Sequence, residues 1–302
     1  MQGVIRKQPA AGRRQEAERL GGALPPLLVA ADRVAQTVAQ GVHGRRRVGQ
    51  GESFWQFRRY EPGDSTTSID WRQSAKSQAV FVREREWEAA QSVWLWRDAS
   101  PSMDYASGAE LVTKRDRADL LLLATAALLV RGGERVTMLG GGQLPTTGRA
   151  GFNRVADSVL NDVAGDESLP AVAPLPRAAH VALFGDFLSD VEDFRKMLAG
   201  YAGRGVRGQI VQILDPAEES LPFKGRVRFA GFEGEGEALM GRVEAVRGGY
   251  RDRLAAHREA IREIARRSGW GFILHHTDHP PQTALLPLYT AMAGMVERTG
   301  RK

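Results

Sequence analysis

Two hydrophobic rhythms alternate along this chain. The first is the short apolar run without polar–apolar alternation: Val93 to Trp96, Ala179 to Phe184, and the runs around Gln209–Leu214 and Trp270–Leu274. Such runs fit strands buried on both faces of a parallel sheet. Arg135–Leu139 adds a further strand, closed by Gly140-Gly141-Gly142. The second rhythm has a 3.6-residue period and predicts helices between those runs. They cover Leu120–Arg131, Asn153–Val163, Val191–Gly203, Gly248–Ser268 and Gln282–Val296. The first of these can start from a Ser107/Glu110 or a Thr113/Asp116 capping box, and Gly132-Gly133 stops it. Strands alternating with helices predict an α/β fold, a doubly wound and mostly parallel sheet.

Upstream the pattern changes. Residues 1 to about 14 are polar and basic with no period. From Gln15 to Gln40 the spacing turns helical, interrupted at Pro25-Pro26. Leu27, Leu28, Ala31, Val34, Ala35 and Val38 form one stripe, so this leading helix packs on something, as an arm on the main domain or as a partner-binding helix. Residues 41–90 are dense in Gly, Arg and aromatics. Short strands around Phe54–Tyr60, Ser68–Gln73 and Val80–Glu86 make a small β-unit there, with a turn at Glu61-Pro62-Gly63-Asp64. Lys224–Phe232 reads as an added hairpin segment or an edge strand. The expected organisation is a basic tail and amphipathic helix (1–40), a β-rich unit packed on the core (41–90) and the α/β domain (91–300).

Composition narrows the class. The 302 residues, 42% hydrophobic, are ample for a large buried core. With no cysteine, disulfides and thiolate zinc sites are excluded, and a reducing compartment fits. The apolar run Ala118–Val130 contains Asp119 and is shorter than the ~20 residues a bilayer span needs. The N-terminus makes a poor signal peptide, so the expectation is a cytoplasmic protein. Residues 1–50 hold nine Lys/Arg and three Asp/Glu, which accounts for the whole net charge of +6. The high pI therefore marks a basic N-terminal face and not a chain that coats nucleic acid.

The candidate chemistry sits where the first core strand ends. Ser92–Met103 reads SVWLWRDASPSM, so a strand delivers Asp98 and then the hydroxyls of Ser100 and Ser102. An aspartate followed by hydroxyls at alternate positions suits a hard divalent cation, which prefers oxygen ligands and few carboxylates. The competing reading is a helix-capping turn. A later strand ends in Gly185-Asp186. In an open α/β sheet, ligands bind beyond the carboxyl ends of the strands, where the strand order reverses. With an order of 3-2-1-4-5-6, strands one and four are neighbours there, and they bring Asp98 and Asp186 together. His275, His276, Asp278 and His279 lack the i,i+4 spacing of a zinc-binding helix and read as surface histidines. Asp64 fixes its turn, Asp70 is expected to pair with an arginine, and Trp71 to be buried against the sheet. No Walker-type phosphate loop occurs, so the chain is not expected to be an ATPase.

DASPSM with FGD resembles the metal-ion-dependent adhesion site of von Willebrand factor A-type domains. The upstream run narrows the resemblance. Arg59-Tyr60, Pro62-Gly63-Asp64, Ile69-Asp70-Trp71-Arg72 and Ser74-Ala75 are similar to the hallmark of the bacterial domain-of-unknown-function family fifty-eight. The resemblance covers roughly residues 40 to 290. It implies a von Willebrand factor A-like (Rossmann-like) fold with a β-rich N-terminal addition. It also implies a Mg²⁺ (or Mn²⁺) site built from Asp98, Ser100, Ser102 and Asp186, to which Thr146 or Thr147 adds a ligand in the domain family's pattern. The implied partner is a MoxR-type AAA+ ATPase or its client, and the implied role is a metal-dependent interaction module, an adaptor or co-chaperone and not an enzyme. Two other classes compete: a phosphatase-like, Mg²⁺-dependent hydrolase with Asp98 as nucleophile, and nucleic-acid binding through the N-terminal arginines, Arg45–Arg47 among them.

Overall fold

The structure, a computed structural model, describes residues 24–43, 54–61, 69–76, 79–85, 90–161, 167–230 and 236–299. The basic tail, Arg45–Arg47 and the Pro62-Gly63-Asp64 turn lie outside these residues.

Five strands build the central sheet, all parallel: β3 (Ser92–Arg97), β4 (Arg135–Met138), β5 (His180–Gly185), β6 (Arg207–Leu214) and β9 (Gly271–His276). Their spatial order is β4-β3-β5-β6-β9. Counted within the sheet that is 2-1-3-4-5, one strand fewer than the expected 3-2-1-4-5-6. The strand ending at Asp186 is thus the third and not the fourth. The reversal point still falls between it and the first strand, so the adjacency of the two ends is retained.

Both faces of the sheet are covered, which is why its strands read as continuous apolar runs. On one face Val93, Leu95, Ala182, Phe184, Val211 and Ile213 pack under α3 (Lys114–Arg131), α4 (Gly148–Asn161) and α8 (Gln282–Thr299). On the other, Trp94, Val181, Leu183 and Ile210 meet α5 (Val191–Ala202) and α7 (Val243–Arg267). Each fully buried aliphatic side chain contributes roughly 1.5–3 kcal/mol.

Helix α3 is buried without interruption from Leu121 to Leu129. A helix apolar on all sides needs cover on all sides. The leading helix α1 (Leu24–His43) supplies it, with Ala31, Val34, Ala35 and Val38 buried against α3 and α8. The predicted stripe is therefore an arm on the main domain. The helix begins at the two prolines instead of being interrupted by them, since a first turn has no use for the missing N–H groups.

Among the described residues the β-unit holds two strands. Strands β1 (Phe54–Arg59) and β2 (Phe81–Arg85) pair antiparallel, but 69–73 is not a strand. Ile69 makes one bridge to Val82, and Trp71–Ser74 is a short helix, α2. Asp70 is its N-cap, accepting from the Gln73 N–H at 2.9 Å. A local side-chain bond has won over the sheet ladder, the usual competition at Asp and Ser. Trp71 is 67% exposed and not buried as predicted. The segment near Lys224–Phe232 is a hairpin, β7 (Val227–Ala230) with β8 (Glu237–Met240). It follows α6 (Pro216–Ser220).

Candidate functional site

Three parallel strands end side by side in carboxylates: β3 at Asp98, β5 at Asp186 and β6 at Asp215. Register sets the first meeting. Arg97 pairs with Phe184, and the Asp98 N–H donates to the Phe184 carbonyl at 2.8 Å. Asp98 therefore lies beside Gly185. A Cβ at Gly185 would stand 2.9 Å from the Asp98 Cβ, so this close approach of two strand ends needs a glycine. Asp186 follows, and Phe187 after it takes a left-handed conformation at φ 49°. A bulky residue there is strained and persists only where its surroundings hold it. Full burial of the ring against Phe194 and Trp96, and a 2.8 Å contact between His257 Nε2 and its carbonyl, hold it.

The predicted residues do converge. Asp98 Oδ1 accepts the Ser100 N–H at 2.8 Å. The hydroxyls of Ser100 and Ser102 lie 3.0 Å apart, and Ser102 Oγ donates to Asp186 Oδ2 at 2.8 Å. Asp98 and Ser100 are fully buried, Asp186 nearly so, and Ser102 is half-buried. Arg115 anchors the loop by donating to the carbonyls of Ala99 and Ser100 at 2.9 and 3.1 Å. Thr146 does not join. Its backbone bridges Val136, whose β3 neighbour Val93 is five residues short of Asp98, about 16 Å along the strand. Its hydroxyl bonds Leu144 O and Arg154.

Two residues missed in the sequence complete the cluster. Lys114, the first residue of α3, is 1% exposed and places Nζ 2.8 Å from Asp186 Oδ2 and 2.6 Å from Glu218 Oε1. Glu218 is the third residue of α6, and its other oxygen accepts the Asp215 N–H at 2.8 Å. Asp215 in turn caps α6 and accepts from the Ser107 N–H, which ties the loop after β3 to the end of β6. Helix α3 itself starts from Thr113, capping the Asp116 N–H, and not from Ser107.

Electrostatics follow from this packing. Burial works to lower the Lys114 pKa, but Asp186 and Glu218 outweigh it and raise the pKa above the ordinary lysine value. Burial raises Glu218, against the pull of Lys114. Tyr105, beside the cluster, is pushed up to about 12 by burial and by Asp215 and Glu218, so its hydroxyl stays neutral.

A divalent cation at this place would have these groups as its neighbours. The oxygen donors are of the right type. Yet Asp186 Oδ2 already takes both the Ser102 hydroxyl and the Lys114 ammonium. An Mg²⁺ about 2 Å from that oxygen would lie within about 5 Å of Nζ. Its repulsion from the ammonium, roughly 6–7 kcal/mol at an effective dielectric of 20, is set against its attraction to the same carboxylate. As arranged, that oxygen is committed to Ser102 and Lys114, and a divalent ion would have to displace one of them. Among the described residues no group of three or more His, Cys, Asp or Glu side chains is placed to cage a metal.

Of the histidine run, Asp278 and His279 lie at the surface as expected, but His275 does not. His275 is buried, with Nε2 3.0 Å from Arg117 Nη1. Burial, and then Arg117, lower its pKa to about 3. Adjacent residues on a strand face opposite ways, and His276 pairs instead with Glu219.

The family whose description is "Protein of unknown function DUF58" matches residues 56–260. The chain is similar to uncharacterized proteins of Mycobacterium bovis and of two strains of Mycobacterium tuberculosis. Each is 26% identical over 275 residues, covering 86% of this chain and 86% of the relative. No solved structure matches the chain. Among the described residues no helix is long and apolar enough to cross a membrane.

Proposed function

The chain belongs to the family described as "Protein of unknown function DUF58", and on that premise we propose that it is a protein-interaction module and not an enzyme. The resemblance of its strand-end motif to adhesion-site domains points to an adaptor or co-chaperone role. The partner that resemblance implies is a MoxR-type AAA+ ATPase, docking at the carboxyl edge of the sheet.

The observation that carries this reading is the closure of the site. A nucleophile must touch its substrate, yet Asp98 is fully buried and bonded to the Ser100 N–H. What faces solvent is a rim. Leu188, two positions past Asp186, is 38% exposed, and Val112, two positions before Lys114, is 42% exposed. Exposed apolar side chains around a charged, rigid base suit a protein partner better than a small substrate. Buried charges then act as scaffolding that fixes the rim.

Calorimetric titration with the purified ATPase tests the proposal. Leu188→Glu and Val112→Glu should weaken binding at least tenfold with melting unchanged. Binding equal to wild type in both variants would move the docking face elsewhere. Turnover of a phosphomonoester that disappears in Asp98→Asn would establish the hydrolase in its place.

A further inference from the structure

We propose that the ammonium of Lys114 is the resident cation of this strand-end site, tethered to the chain and standing where an adhesion-type site would place a divalent metal. The proposal rests on the cluster described above and is independent of the partner.

Four carboxylates gather at the strand ends: Asp98, Asp186, Asp215 and Glu218. Such a group needs a positive charge if it is to be buried. Lys114 supplies one from the start of α3, with two ion pairs of 2.8 and 2.6 Å and its side chain 1% exposed. Its position is costly in itself, because the amino end of a helix disfavours cations. Lysine at the first helical position is then explained by what it meets across the loop and not by the helix. The adhesion-type ligands reach it as a chain through Asp186: Ser100 bonds Ser102, Ser102 bonds Asp186, and Asp186 bonds Lys114. A metal ion can be gained and lost, and its ligands must wait for it. A tethered ammonium cannot leave, so the site is assembled at any metal concentration. The strand ends, the start of α3 and the start of α6 are joined by one side chain.

The test uses the full chain in EDTA and in millimolar Mg²⁺ or Mn²⁺, followed by thermal melting and by calorimetric titration of Mn²⁺. Wild type should melt at the same temperature in both buffers and give no Mn²⁺ heat that depends on Asp186. Lys114→Ala should melt roughly 5–15 °C lower in EDTA. Mn²⁺ should recover part of that loss, with a binding heat that Asp186→Asn removes. Wild-type binding of Mn²⁺ that Asp186→Asn abolishes would overturn the proposal. So would a Lys114→Ala chain as stable in EDTA as wild type. If Lys114→Ala fails to fold, wild type alone decides, through the presence or absence of Asp186-dependent Mn²⁺ binding. None of these measurements involves a partner, so this inference and the docking reading fail separately.

Discussion

Lys114 and Arg117 stand less than one turn apart on the same helix, both buried, and they answer the cost of a buried charge in opposite ways. Lys114 meets two carboxylates. Arg117 is held mainly by neutral acceptors: His275 Nε2 and the carbonyls of Thr277 and His279. Burial lowers the Arg117 pKa, with Asp278 a lesser opposing influence, whereas the Lys114 pKa is raised. The lysine is part of a charge-balanced site. The arginine is a clamp that satisfies the backbone where the chain leaves β9. One helix start thus serves two strand ends, through charge at one and through hydrogen bonding at the other.

The contrast breaks most sharply by truncation. Lys114→Ala leaves the buried Asp186 and the half-buried Glu218 without their shared cation, an expected loss of about 3–5 kcal/mol in urea unfolding. Arg117→Ala strands two carbonyls and a ring nitrogen, about 2–4 kcal/mol. Divalent ions should restore stability to the first variant and not to the second. Equal rescue of both would mean that the ions act elsewhere.

Acid sharpens the comparison further. Unfolded His275 titrates near 6.5 and the folded residue near 3. Between those values the unfolded chain binds more protons, so stability falls as pH falls through that window. His275→Gln should flatten that part of the curve. The Lys114 contribution runs the other way: it is complete below the ordinary lysine pKa of 10.5 and is lost only as pH rises beyond it. The smallest effect belongs to Trp71. Being 67% exposed, its replacement by Ala should change stability by no more than about 0.5 kcal/mol. A large loss of melting temperature would show that the ring is packed in solution.

Most of the sheet was legible because burial on both faces writes unbroken apolar runs: Ser92–Arg97 and His180–Gly185 stand almost where the pattern placed them. That Asp98, Ser100, Ser102 and Asp186 lie close together was legible for the same reason, since strand ends are where such runs stop. The sheet order was not legible, because no residue pattern distinguishes a five-stranded from a six-stranded winding. Trp71 was misread because an aromatic beside Ile69 suggests a strand, while Asp70 acts locally as a cap. Lys114 and Glu218 were overlooked although both leave a mark. Asp215-Pro216-Ala217-Glu218 is a plain capping box, and Lys114-Arg115 sets two cations in a first turn that favours acids. A basic residue at the wrong end of a helix is a cue to look for carboxylates across the loop.

The seat of helix α1 has a consequence for synthesis. Its partners on the cover side include Ala284, Leu285 and Leu288 of α8, the last helix among the described residues. About 240 residues separate the two, which is on the order of tens of seconds of translation. Helix α1 can meet α3 early, but its seat is complete only when α8 arrives. Until α8 emerges, the stripe from Ala31 to Val38 lacks part of its lid, and a nascent chain of this protein must be kept from its neighbours for that interval.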